Sequence, residues 1–166
     1  MDDVFELKPI STTAVPEAIR KAEHYRLLNE PEQAESICRD VLAADAGNQE
    51  VLVVLVLAMT DQFRRDGAGG RVHQAHDVLD QMSDEYQRSY YRGMVLERQA
   101  RAMLGRATSR ISAYSCFRDA MEQYDKAERL RPEGNDSALL RWNACVRTIQ
   151  REQLEAPPAE PEQPLE

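Results

Sequence analysis

Residues 15–48 read VPEAIRKAEHYRLLNEPEQAESICRDVLAADAGN, and the spacing of their apolar positions decides the fold class. Ala34, Ile37, Cys38, Val41 and Leu42 fall at i, i+3, i+4, i+7 and i+8, which is one face of an α-helix. Ahead of them, Ala18, Ala22, Tyr25 and Leu28 form a second such stripe, and Asn29-Glu30-Pro31 separates the two. Pro16 and Pro31 each suit the first turn of a helix, where a missing N–H costs no hydrogen bond. Gly47 offers a left-handed cap to the second helix, and Asn48 a cap to the next. Two helices this short cannot close a core alone, so the pair needs further helices stacked beside it. The small Ala22 and Ala34 let the two axes approach closely.

The chain downstream continues in helices. From Gln49 the run is apolar nearly all round between Val51 and Met59. A buried strand would have that composition too. The good helix start at Asn48-Gln49-Glu50, and the continuation into Asp61-Gln62-Phe63 without a breaker, favour a central helix packed on two sides or facing a groove. Residues 64–71, RRDGAGGR, read as a flexible loop. A helix with Val72, Ala75, Val78, Leu79 and Met82 on one face follows. Another starts at Ser83-Asp84-Glu85 and runs to about Leu104, with Tyr86, Tyr90, Gly93, Leu96 and Ala100 as its apolar or small positions. Gly93 inside a helix costs about 1 kcal/mol relative to Ala, which close packing at that point would explain. After a second loop, a long helix from about Ser109 to Arg131 carries Phe117, Ala120, Tyr124 and Ala127. A last helix, from Asn135 or Asp136, carries Leu139, Trp142, Val146 and Ile149.

Residues 1–14 show no helical period and read as an N-terminal arm, in which Val4, Phe5 and Leu7 are apolar enough to dock. Residues 15–153 form the helical domain. Residues 154–166 are rich in Pro and Glu and read as a disordered tail, with a short docking motif as the alternative.

The 166 residues carry a formal net charge of -8, which argues against non-specific binding to nucleic acid or anionic membranes. No apolar run is long enough to span a bilayer, and the start of the chain lacks the features of a secretory signal, so a cytoplasmic location is expected. The three cysteines, Cys38, Cys116 and Cys145, are widely spaced on apolar faces and read as small buried hydrophobes.

Residues 15–48 resemble a tetratricopeptide repeat (TPR), a 34-residue helix-turn-helix with small residues at the helix contact. The pattern recurs around Gly93 and in Ala120, Tyr124, Ala127 and Pro132. It departs from the family at Ala46, where the closing proline is missing, and in longer turns within the second and third repeats. The resemblance implies an all-α right-handed superhelix of about three such repeats plus a C-terminal capping helix. A plain helical bundle fits the same binary pattern.

Proteins of this family typically bind an extended peptide or a helix in the groove lined by each repeat's first helix. Placed on that pattern, the groove positions are Ile19, Glu23, Leu27, Val53, Leu57, Tyr90, Tyr91, Met94, Glu97 and Leu140. They make an apolar surface with a few acids, suited to an amphipathic helix or hydrophobic segment. Equally, they are core if a tight superhelix or the N-terminal arm covers them. The Lys and Asn set with which some members clamp a C-terminal carboxylate has no counterpart here. The expectation is a non-enzymatic adaptor for another protein, and the alternative is a dedicated chaperone that shields a hydrophobic segment of a client. Self-association into a homodimer stays open.

Other constellations carry less. His73 with Asp77, and His76 with Asp80, are i, i+4 pairs, but the two pairs point about 60° apart around the helix, which suits a solvated face better than a metal site. The glycine-rich RRDGAGGR lacks the lysine and the strand-to-helix context of a phosphate loop. Arg64, Arg65 and Arg71 in one loop, and Arg101, Arg106 and Arg110 around the other, are expected along one edge as a basic rim. Such a rim could receive an acidic partner or a phosphate group. No catalytic set, metal ligand set or cofactor fingerprint stands out.

Overall fold

The computed structural model describes residues 5–66, 68–106 and 109–159, and the side chains of residues 66 and 68–70 fall outside the description. Every regular element among the described residues is helical. A short 3-10 turn, Thr12–Ala14, leads into α1 (Val15–Leu27), with Pro16 in its first turn. Asn29 turns the chain in the left-handed region, φ 60°, and α2 (Pro31–Ala44) follows with its proline in the first turn. Gly47, φ 80°, makes the next reversal, where a side chain would be strained. Asn48 then caps α3 (Gln49–Thr60) by accepting the Val51 N–H at 2.9 Å. Beyond it come α4 (Phe63–Asp66), α5 (Ala68–Leu79), α6 (Glu85–Met103), α7 (Arg110–Leu130) and α8 (Ser137–Arg151). Asp84 caps α6 by accepting the Gln87 N–H at 3.1 Å.

The apolar run at Val51–Met59 is helical, not a strand, and Val51, Leu52, Val54, Leu55, Val56, Ala58 and Met59 are all buried. Neighbours on more than one side account for this, because α3 packs on α1, α2, α5 and α6. The helix ends at Thr60 instead of running on through Phe63.

The expected loop over residues 64–71 is corrected. The chain is helical at Phe63–Asp66 and again from Ala68. Gly69 and Gly70 fall in the first turn of α5, where the backbone N–H groups lack helical partners in any residue and the penalty for glycine matters less than in a helix interior. Phe63 is buried and anchors the short α4.

Each long helix packs on the next, as α1 on α2, α2 on α3, α3 on α5, α5 on α6, α6 on α7 and α7 on α8. A second series links alternate helices, with α1 touching α3, α3 touching α6 and α6 touching α8. Ala22 and Ala34 are fully enclosed, as close approach of α1 and α2 requires.

The buried side chains fall into two clusters. One gathers α1, α2, α3, α5 and Val95 of α6. The other gathers Ala100 of α6 with Phe117, Ala120, Met121 and Tyr124 of α7 and Ala138 and Cys145 of α8. Leu154 belongs to the second cluster, and its N–H bonds back to the Ile149 carbonyl at 3.0 Å. Packed structure therefore reaches Leu154.

Phe5 and Leu7 are almost fully exposed, whereas Ile10 packs against the first cluster. Val4 and residues 160–166 of the expected tail lie outside the described residues.

Candidate functional site

Helices α1, α3, α6 and α8 carry all the expected groove positions, and the structure divides them by exposure. Leu27 (85% exposed), Leu140 (64%) and Glu23 are open to solvent. Val53, Leu57, Tyr90, Tyr91 and Met94 are half-buried. Ile19 is buried in the first cluster and offers a partner no surface. Tyr90 meets Tyr91 edge-on, with ring centroids 5.0 Å apart, and lies parallel to Tyr86 at 6.0 Å. Burial pushes the phenols of Tyr90 and Tyr91 above their ordinary pKa, so both are neutral around neutral pH.

Glu97, the remaining groove position, is 0% exposed and sits at the centre of a polar cluster. Its Oε1 accepts from Arg101 at 2.8 and 3.0 Å and from Arg141 Nη2. Its Oε2 accepts from the Tyr124 hydroxyl at 2.7 Å and from Arg141 Nε at 3.1 Å. Burial alone would push the carboxyl up. The donors from Arg141 and Tyr124, with the charge of Arg141 and the Arg101 bond behind them, outweigh burial and hold it below its ordinary value. Glu97 therefore ties α6, α7 and α8 together from inside. A buried carboxylate so fully paired is a structural joint, not a contact surface.

A second joint lies at the end of α3. Asp61 accepts from Arg26 of α1 at 2.8 Å and from Arg98 of α6 at 2.6 Å, and Arg98 also reaches the Thr60 hydroxyl at 2.7 Å. Glu35 of α2 makes a third, accepting from Arg39 and Arg71 at 2.6 Å each and from Gln62 at 2.9 Å. Here too burial acts upward, and Arg39, Gln62 and Arg71 more than offset it, so the carboxyl is lowered.

These joints sort the expected basic rim. Arg71 is committed to Glu35, and Arg65 pairs with Glu32. Arg110 donates to the backbone carbonyl of Glu152. Arg64 and Arg106, with the Glu97-bonded Arg101, line one cleft of about 800 Å³. It is bounded by α4, the last turns of α6, Gly105, Arg106 and Ser109, and the end of α8. Phe63, Ala102, Met103 and Leu104 back it, and Gln99, Ser109, Arg151 and Glu152 complete its polar lining. A smaller hollow of about 220 Å³, between Asp61, Arg98, Arg101 and Arg64, adjoins it. Sequence reasoning did not include Arg151. The only available signal was a cation in the last turn of a helix, which suits helix ends in general.

The histidines stay apart. His73 and Asp77 are both largely exposed, with 3.9 Å between Nε2 and the carboxylate. Among the described residues no three of His, Cys, Asp and Glu come close enough to share a metal ion. Cys38, Cys116 and Cys145 are buried and unbridged, with burial pushing each thiol up to about 12. No helix among the described residues is long and apolar enough to cross a membrane.

Comparisons of the chain with protein-family models, with curated proteins and with solved structures find no match.

Proposed function

We propose that the chain is a non-enzymatic protein-interaction adaptor, a TPR-like right-handed superhelix of about three helical hairpins and a capping helix, acting in the cytoplasm. The partner is an amphipathic helix or hydrophobic segment of another protein, laid along the row α1, α3, α6 and α8. One observation carries the reading. The row leaves apolar and aromatic side chains part-exposed on successive helices, from Leu27 through Val53, Leu57, Tyr90, Tyr91 and Met94 to Leu140. Apolar surface of that kind, rimmed by polar groups, is the usual mark of an interaction site. The alternate-helix contacts and the enclosed Ala22, Ala34 and Gly93 support the repeat architecture within this reading.

The test compares wild type with a Leu27→Glu, Leu140→Glu double variant. Both positions are too exposed to be needed for folding. Each protein is used to capture partners from the cells that make it, followed by mass spectrometry, with circular dichroism as the control for fold. A partner retained by wild type and lost with the double variant supports the groove. Equal retention moves the contact elsewhere, and no partner at all counts against the adaptor reading.

A further inference from the structure

We propose that the arginine-lined cleft is a binding site for a phosphate-bearing ligand, gripped by the guanidinium groups of Arg64 and Arg106. The cleft is distinct from the apolar row and stands on separate observations. Among the described residues its lining holds four arginines, Arg64, Arg101, Arg106 and Arg151, against one carboxylate, Glu152.

Two of the four are already employed. Arg101 is bonded to the buried Glu97, and Arg151 reaches Glu152 at 3.2 Å. Both also lie in the last turn of a helix, where a cation offsets the exposed carbonyls. Arg64 and Arg106 have no such work. Neither guanidinium meets a hydrogen-bond acceptor or carboxylate among the described residues, and both are exposed into the same cavity.

This is not for want of acids. The chain holds 29 acidic residues, and Arg26, Arg39, Arg92, Arg98 and Arg131 all have carboxylate partners. Arg118, Arg129 and Arg147 also lack a carboxylate among the described residues, but they line neither hollow. Location, not the lack of a partner alone, sets Arg64 and Arg106 apart.

The chemistry selects the ligand class. A phosphate monoester carries close to two negative charges and three acceptor oxygens, against one charge and two oxygens for a carboxylate, so it balances two guanidinium charges more fully. The formal net charge of -8 repels anions at long range, so capture depends on close contact with the arginines. Phe63, Met103 and Leu104 line the same cleft as the arginines. The cleft volume is of the order found for small-ligand sites.

The experiment titrates the full chain with four probes by calorimetry. They are inorganic phosphate, pyrophosphate, a phosphoserine peptide, and the same peptide with Glu at the modified position. Saturable binding of phosphate-bearing probes is expected, weakened at least about tenfold by Arg64→Gln or by Arg106→Gln, since each removes a charge-assisted hydrogen bond. An Arg118→Gln, Arg147→Gln variant changes net charge as much as both cleft substitutions together and leaves binding unchanged. Preference for the phosphoserine peptide over inorganic phosphate and pyrophosphate places the phosphate on a protein side chain, and preference for pyrophosphate places it on a small molecule. Either outcome supports the site. Arginine side-chain NMR signals of the unmodified protein give a second readout, with Arg64 and Arg106 shifting on addition of phosphate and Arg118 not. The proposal is overturned if no phosphate probe saturates, if the control variant weakens binding equally, or if the Glu peptide binds as tightly as the phosphoserine peptide.

Discussion

The ring of Tyr124 occupies the place where a side chain on Gly93 would have to go. A Cβ at Gly93 would stand 2.7 Å from Tyr124 Cε1 and 2.8 Å from Cδ1. The ring cannot easily withdraw, because its hydroxyl is held by the buried Glu97 at 2.7 Å. A glycine that weakens the interior of α6 is therefore the condition for α7 to come as close as it does.

Gly93→Ala tests that relationship. Overpacking costs about 1–3 kcal/mol, and the better helix propensity of Ala returns about 1 kcal/mol. A net loss of up to about 2 kcal/mol is expected, read as a lower urea midpoint at unchanged slope. A gain in stability would show that the ring yields freely.

Glu97→Gln leaves the part-exposed Arg101 and Arg141 facing a buried neutral amide. Breaking a fully buried pair from one side costs about 3–5 kcal/mol; solvent reaches Arg101 and Arg141, so a smaller loss but a clear drop in melting temperature is expected. A change comparable to a surface substitution would mean that water already screens the cluster.

The acid limb of stability follows from the same group. Glu97 and Glu35 are both held below their ordinary value of 4.5 in the folded chain. Their contribution is complete above that value and is lost as pH falls through the lowered one, because the unfolded chain takes up protons first. Urea midpoints measured at decreasing pH should fall below about pH 4.5 for wild type and fall less steeply for Glu97→Gln. Parallel profiles would remove Glu97 from the account.

Tyr124→Phe keeps the ring against Gly93 and removes only the hydroxyl bond to Glu97. A hydrogen bond to a charged acceptor is worth about 1.5–3 kcal/mol. The loss should be smaller than for Glu97→Gln, because the two arginines stay in place. Equal losses in the two variants would show that the hydroxyl, not the ion pairs, holds the joint.

The three thiols should be inert in the folded protein. Each is buried and pushed up to about 12, so the reactive thiolate is scarce at neutral pH. Alkylation is expected only as fast as unfolding allows, and at all three positions in denaturant. The same raised values make stability fall as pH climbs above the ordinary thiol value of 9.0, where the unfolded chain ionises first. Rapid native-state labelling of any one cysteine would show a breathing helix above it.

What the sequence made legible was local. The cap at Asn48, the helix start at Ser83-Asp84-Glu85, prolines in first turns, and the stripe through Ala34, Cys38 and Val41 act within a few residues, and pattern reading found them. Gly93 could be read as a point of close packing, though its neighbour could not be named. Glu97 shows the limit. It shares its helix with Tyr90 and Met94, and its partners Tyr124 and Arg141 are 27 and 44 residues away. Periodicity places a residue on a face but does not say which distant cation covers it. The arginines were separable only once Glu35, Glu32 and the Glu152 carbonyl were seen to claim Arg71, Arg65 and Arg110. The helix across Phe63–Asp66 was hidden by the glycines that follow it.

One feature of α6 reaches further than packing. It supplies Val95 to one apolar cluster and Ala100 to the other, so the two halves of the molecule share a single wall. Damage to either half is then felt first at that wall, and neither half can come apart without exposing one side of it. In amide exchange, α6 should be the last segment to give up its protons, with α1 and α8 opening from opposite ends as separate events.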